Sequence, residues 1–469
     1  MAGARQVAFA LSLVLLALGG SYALAAGGGD GDRFVRLLLL QDYNTRVVVL
    51  GTSLLGLAAG VLGSFMLLRK RALLGDAVSH ATLPGIAIAF MWMVAAGGSG
   101  KSLPGLLLGA TISGLVGMGT VMLIKSQTRL KEDAALGIVL SVFFGLGVAL
   151  LGMIQKMSTG SAAGLESFIY GKTASMLASD AWLIGGAALV IGLISLSFFK
   201  EFKLLCFDAP FAASLGWPTR TLDGFMMSLV VCVTVIGLQA VGLILVMALL
   251  VIPPAAARFW TENLSSMITV SALIGAISAG LGAAFSAWWA NLPAGGVIVV
   301  TAAVVFLFSM LFGTSRGVVR RWIEHVRLGH RIARQHLLRA LFEVSEEQGE
   351  MRGAVSVASL MKERSWTHAR LLRELASATR EGLVAADGDR YRLTASGWDD
   401  ARRLVRNHRL WEIYLITHAA IAPSHVDRDA DELEHVLGKS MVQSLEAILD
   451  RDAKTGMPSS PHPIGAPIP

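Results

Sequence analysis

The chain has 469 residues, 54% of them hydrophobic and only 16% charged, with a mean hydropathy of +0.62. Soluble globular proteins carry about 25% charged residues, so an ordinary soluble enzyme is excluded, and with only Cys206 and Cys232 so is a disulfide-stapled scaffold. Charge is also unevenly spread, with 17 Lys/Arg and 12 Asp/Glu up to Gly313 against 23 and 21 beyond it, so a membrane half and a soluble tail share one polypeptide. Most of the basic excess behind the pI of 9.6 lies in the membrane half, which suits the positive-inside rule better than a nucleic-acid footprint.

A hydrocarbon core about 30 Å thick takes about 20 apolar helical residues. The run at 7–26 follows Arg5 and ends in Ala23-Leu24-Ala25, so segment 1–26 reads either as a signal peptide or as a first transmembrane helix. Nine further runs lie near 46–67, 81–97, 103–124, 134–154, 181–199, 223–238, 239–256, 267–288 and 293–313. The predicted fold is mainly α: about nine spans plus the N-terminal segment. Loops 68–80, 125–133, 200–222 and 257–266 carry ten Lys/Arg, clearly more than the intervening loops. This assigns them to the cytoplasm, and parity puts the tail from Thr314 there too. Gly56, Gly60 and Gly63 recur at helical spacing, a pattern that lets membrane helices approach closely.

His80 is the only histidine in the membrane half, and it follows Asp76 by four residues. On a helix that spacing puts carboxylate and imidazole on one face, a start for a manganese, iron or zinc site; in a loop it would be a polar pair beside Arg69, Lys70 and Arg71. Gly97-Gly98-Ser99-Gly100-Lys101-Ser102 imitates the end of a phosphate loop, but alanine stands at 95 where that motif needs glycine, and the segment reads as a turn.

The segment Arg71-Ala-Leu-Leu-Gly-Asp-Ala-Val-Ser-His80-Ala-Thr-Leu-Pro84-Gly85 resembles the signature of the zinc/manganese/iron ABC-importer permeases, the ABC-3 type. Glu132–Gly137, Leu165–Gly171, Phe207 to Gly216, Gln239 to Pro254 and Asn291–Gly296 resemble that family in the same order, over about 45–313. The resemblance implies that Asp76 and His80 belong to the cation path. It also implies that Phe207, Asp208, Ala212, Leu215 and Gly216 lie in the segment that couples to an ABC ATPase subunit. A separate ATPase, an extracytoplasmic metal-binding protein and a second permease subunit, identical or related, are the implied partners in a bacterial cell (inner) membrane. No credible Walker motif is present, so the chain reads as a non-catalytic permease subunit. A metal-gated channel or secondary transporter, with the tail as an interaction module, is the alternative.

Seven arginines between 314 and 339 face Glu324 alone, so 314–333 reads as a basic juxtamembrane linker suited to anionic headgroups or to solvent. Helical patterns follow near 334–347, 353–363 and 366–381, then a hairpin over 383–393 turning at Asp387-Gly388. That order predicts a winged helix over 334–394. As a DNA reader it would use Thr367, His368, Arg370 and Arg373 on its third helix and Arg390 and Arg392 on its wing; otherwise it is an interaction module. Beyond it, His408 and Glu412 stand at i,i+4, and Asp431, Glu434 and His435 fall on one helical face, so 395–469 offers mixed oxygen and nitrogen donors.

His408-Arg-Leu-Trp-Glu412, Ala430–Leu437 and Ser460–Pro469 are similar to the iron- and manganese-dependent repressors of the diphtheria-toxin-repressor type, over about 334–469. The resemblance implies a metal-binding and dimerisation domain. Asp431, Glu434, His435 and His336 would form one ligand cluster and His408 and Glu412 a neighbouring one, for Mn, Fe or Zn and with no organic cofactor. Two departures stand out. Arg339 takes the place of a carboxylate in manganese-selective members, and Asp427 that of a histidine in iron-type members. The match ends before the SH3-like domain of longer iron-type members. The implied protein is a metal-importer permease with a metal-responsive tail that controls transport or transcription, tethered or released by proteolysis.

Overall fold

The computed structural model describes residues 42–98, 100, 102–156, 171, 173–289, 292–349, 353–363 and 366–418. Segment 1–26 and the candidate ligands Asp431, Glu434 and His435 lie outside these residues. The chain divides into two compact units, Met1–Arg321 and Trp322–Pro469.

The first unit contains, in chain order, α1 (Tyr43–Leu68), α2 (Leu74–Ala95), α3 (Leu103–Gln127), α4 (Glu132–Gln155), α5 (Ala178–Ser197), the short α6 (Phe199–Phe207) and α7 (Ala209–Ser214), α8 (Thr219–Val241), α9 (Leu243–Ala257), α10 (Leu264–Trp288) and α11 (Ala294–Phe312). Among the described residues eight of these helices, all but α6, α7 and α9, are long and apolar enough to cross a membrane. Of the nine expected runs, the one at 239–256 corresponds to α9, the shorter apolar helix. Gly242, at φ +84°, ends α8, and α9 has 15 residues, roughly 22 Å of helix against a core of about 30 Å. Pro253 and Pro254 inside α9 also lack the N–H groups that would bond the carbonyls of Leu249 and Leu250.

Small residues set the packing. The helices α1 and α10 run antiparallel, Gly56 facing Gly275 and Gly60 facing Ser271, whose Oγ donates to the Gly60 carbonyl at 2.8 Å. A Cβ on Gly56 would lie 2.3 Å from the Gly275 carbonyl oxygen, and one on Gly63 would lie 2.1 Å from that of Leu250 on α9. Without a hydrophobic drive between helices in lipid, such backbone approach is what holds them together. The pair α2 and α3 repeats the device at Gly85 and Gly109, where Ser113 Oγ donates to the Ala81 carbonyl at 2.6 Å. On the periphery Leu108, Ile112, Val142, Leu189 and Val300 are exposed, an apolar surface fit for lipid.

The division between the units falls within α12 (Val318–Glu347), which the sequence reading had broken into a linker and a helix. The tail continues with β1 (Val355–Ser356), α13 (Val357–Glu363), α14 (His368–Arg380), β2 (Val384–Asp387), β3 (Arg390–Leu393) and α15 (Ala395–His418). The strands form an antiparallel sheet in the order β1–β3–β2, with Asp387 paired to Arg390 across the Gly388-Asp389 turn. Leu337, Leu341, Leu360, Leu371, Leu375 and Val405 build its core, and Phe342 packs on Trp398 with ring centroids 4.6 Å apart. This is the helix, helix, helix, hairpin order of a winged helix, with α15 following.

Candidate functional site

Asp76 lies in the first turn of α2, where the exposed N–H groups favour a carboxylate, and His80 is one turn further on. Both are on a helix rather than in a loop. The apolar run counted from residue 81 missed this start because Asp76, Ser79 and His80 interrupt the hydropathy. His80 Nε2 is 3.4 Å from Asp76 Oδ1, with both side chains partly exposed. Phe144 of α4 meets the imidazole edge-on at 4.8 Å, and Nδ1 is buried without a hydrogen-bond partner among the described residues. Pro84 supplies no N–H to the carbonyl four residues back, so the His80 carbonyl loses its helical donor. The pair thus offers one oxygen and one nitrogen to a cation. Among the described residues no three His, Cys, Asp or Glu side chains gather as a metal-holding group.

A charged cluster stands at the same end of the bundle. Arg71, 3% exposed, holds both oxygens of Asp223 on α8 at 2.8 and 2.9 Å and pairs with Glu132 of α4, which also pairs with Lys125 of α3. Arg69 reaches Asp223 at 3.1 Å and donates to the Leu205 carbonyl of α6 at 3.0 Å. Burial alone would lower the pKa of Arg71, but the hydrogen bonds and charges of Asp223 and Glu132 outweigh it and hold the guanidinium above its ordinary value. These groups line a cavity of about 280 Å³ together with Ala209, Thr219 and Arg220. Sequence reasoning missed Glu132 and Asp223 as members of this cluster, because Asp223 is 152 positions from Arg71.

In the segment read as coupling, Asp208 caps α7, its Oδ1 accepting from the Phe211 N–H at 2.9 Å. Phe207 and Leu215 are exposed, and Gly216 turns the chain at φ +82°. Ala212 is buried against the bundle and is not presented, whereas Phe211 and Trp217, which the sequence reading did not single out, are exposed beside Phe207 and Leu215. Two exposed aromatics flanking a capped turn were the available signal.

In the tail, Thr367, His368, Arg370, Arg373, Arg390 and Arg392 are all exposed, on the N-cap and helix of α14 and on β3. His408 and Glu412, by contrast, are fully buried on α15. His408 Nε2 is 3.3 Å from Glu412 Oε1, and its Nδ1 is 2.8 Å from Arg339 Nη1 on α12. Arg339 Nε in turn donates to Glu343 Oε1 at 3.1 Å, and Arg409 pairs with Glu346. A guanidinium thus stands against the imidazole of the pair read as metal ligands. His336 lies half-buried on α12, three residues before Arg339, while the residues expected to join it are outside the described ones.

A helical bundle with eight candidate spans among the described residues and a charged cluster at one end, followed by a winged-helix unit, defines a polytopic integral membrane protein with an appended winged-helix domain. The chain belongs to the ABC 3 transport family, whose model matches residues 41–313, and residues 394–469 match the iron dependent repressor, metal binding and dimerisation domain. It is 40% identical to the manganese transport system membrane protein MntC of Bacillus subtilis, over 84% of this chain and 88% of that protein. That match is longer than the membrane half and so runs into the tail. The zinc transport system membrane protein TroC of Treponema pallidum is 44% identical over 60% of this chain and 93% of its own. The solved structure of PsaBC from Streptococcus pneumoniae in complex with Fab aligns with a TM-score of 0.52 and 31% identity, over 60% of this chain and 97% of that one.

Proposed function

We propose that this chain is the permease subunit of an ATP-driven importer for a divalent transition metal, manganese, zinc or iron, and that its cargo passes Asp76 and His80. The observation that carries the reading is the 3.4 Å pairing of a carboxylate and an imidazole on a span that is otherwise apolar. Ionisable groups there are costly and mark ion paths. One copy supplies two side-chain donors; two copies related by a twofold axis would supply four, the usual number for a zinc-like ion. A separate ATPase would dock on Phe207, Asp208, Phe211, Leu215 and Trp217, and an extracytoplasmic metal-binding protein would deliver the ion. The tail lies in the cytoplasm in this reading. The named relatives in Bacillus and Treponema favour manganese or zinc over iron.

Metal uptake by cells expressing Asp76→Asn or His80→Ala tests the path. The expected result is loss of most uptake in each at normal expression; normal uptake in both would remove the pair from the path.

For the tail we infer a regulator acting on the permease to which it is joined, with Asp431, Glu434, His435 and His336 as the metal ligands. The exposure of Arg370, Arg373, Arg390 and Arg392 favours a second reading, binding to DNA phosphates and bases. A gel shift of the detergent-solubilised chain on its own promoter, with and without Mn(II), Fe(II) or Zn(II), separates them. Absence of metal-dependent, salt-sensitive binding rejects the DNA reading.

A further inference from the structure

We propose that Arg339 is a built-in cation that replaces a metal ion at the His408–Glu412 pair, so that this pair binds no metal and joins α12 to α15 whatever the metal concentration. The inference concerns the tail alone and stands apart from the transport and regulatory readings above.

Its basis is the proton inventory of one buried ring. A guanidinium has only donors, so Arg339 Nη1, 2.8 Å from His408 Nδ1, makes that nitrogen the acceptor. The neutral ring then carries its proton on Nε2, which faces the Glu412 carboxylate at 3.3 Å. A metal ion needs a nitrogen with a free lone pair. Binding at Nε2 would require the other tautomer, with an Nδ1–H pressed against a guanidinium N–H, donor against donor. Binding at Nδ1 would require expelling Arg339. Neither route is open while Arg339 stays, and it is well held, since its Nε is bonded to Glu343 one turn along α12 and its side chain is 4% exposed. The cation is bonded to Glu343 of its own helix and to His408 of α15, whose other ring nitrogen lies 3.3 Å from Glu412. A divalent ion would serve the same neutralising purpose, but it could leave when metal is scarce, and the side chain of Arg339 cannot. An arginine, unlike a histidine or lysine, also does not lose its charge at any physiological pH.

The test counts Mn(II) bound per chain by equilibrium dialysis and elemental mass spectrometry on the full chain in detergent. In the chain that keeps Arg339, His408→Ala and Glu412→Gln are each expected to leave the count as it is in the unaltered protein. Arg339→Glu, which swaps the internal cation for a carboxylate, is expected to gain one ion per chain, and Arg339→Glu with His408→Ala to lose it again. Loss of one ion in His408→Ala or Glu412→Gln alone would overturn the proposal, as would a folded Arg339→Glu chain that gains none. If Arg339→Glu does not fold, the Glu412→Gln comparison decides, because that change keeps shape and removes only a charge. A second readout is the metal-induced shift in melting temperature, which is expected to be the same with and without Glu412→Gln.

Discussion

Arg71 is a case where one side chain holds together parts of the chain far apart in sequence. Its guanidinium is almost wholly enclosed, and removing it leaves Asp223 charged and buried with Arg69 as its remaining ion-pair partner and Lys125 further off. Breaking a buried pair on one side costs about 3–5 kcal/mol, whereas replacing both partners with apolar groups is often neutral. Arg71→Met is therefore expected to lower the melting temperature of the purified protein markedly, and Arg71→Met with Asp223→Leu to recover part of the loss. If the double variant is no better than the single one, the pair is not the unit of stability. Nearby, Cys206 on α6 touches the Phe65 carbonyl, and burial pushes its thiol up to about 12 from an ordinary value near 9. It stays protonated through the mildly alkaline range and is a poor nucleophile there. Alkylation followed by peptide mass spectrometry is expected to leave Cys206 unmodified in the folded chain and to modify it after denaturation. The sequence named Arg71 as part of a motif, but Arg69 and Arg71 could not be matched to Asp223, nor Arg339 to His408, because those pairings are made by folding across 154, 152 and 69 positions.

Helices were easier to read than their ends. Hydropathy located every long apolar run, yet it started α2 at residue 81 because the polar residues of its first turns look like a loop, and it divided the 223–256 stretch four residues early because Gly242 gives no hydropathy signal. The glycine spacing on α1 was more informative. Periodic Gly56, Gly60 and Gly63 meet the carbonyls of Gly275, Ser271 and Leu250, so side chains there have no room. Gly56→Val is expected to destabilise by about 1–3 kcal/mol, the usual cost of overpacking, read as a lower unfolding midpoint or reduced yield of the folded chain. In the proposed docking of an ATPase, the exposed Phe211 of α7 and Trp217 just beyond it form the surface. Phe211→Asp and Trp217→Asp are expected to leave the melting temperature unchanged and to weaken co-purification of the ATPase subunit. Undiminished co-purification would place the docking surface elsewhere.

At the scale of the whole molecule, the chain divides into two units, each with its own apolar core, and removal of the tail tests whether the membrane bundle folds by itself. A chain ending at Arg321 is expected to reach the membrane at normal levels. If the tail restrains transport, that chain takes up metal even when internal metal is high; uptake that still falls with internal metal would put the control elsewhere. Composition disclosed this two-part plan from the step in charge density at Gly313. The join itself was not legible, because a run of arginines reads equally well as a loose linker. In fact the chain leaves α11 through a turn pinned to α9's end, with Ser315 donating to the Phe259 carbonyl at 2.9 Å and Gly317 closing on Gly313, and then enters α12 directly. Proteases thread extended backbone, and they cut most readily at exposed loop tips. A hydrogen-bonded turn followed by 30 residues of helix offers them no such strand, so limited proteolysis of the folded chain is expected to spare 313–347, and a cut there would show the join to be looser than its hydrogen bonds imply.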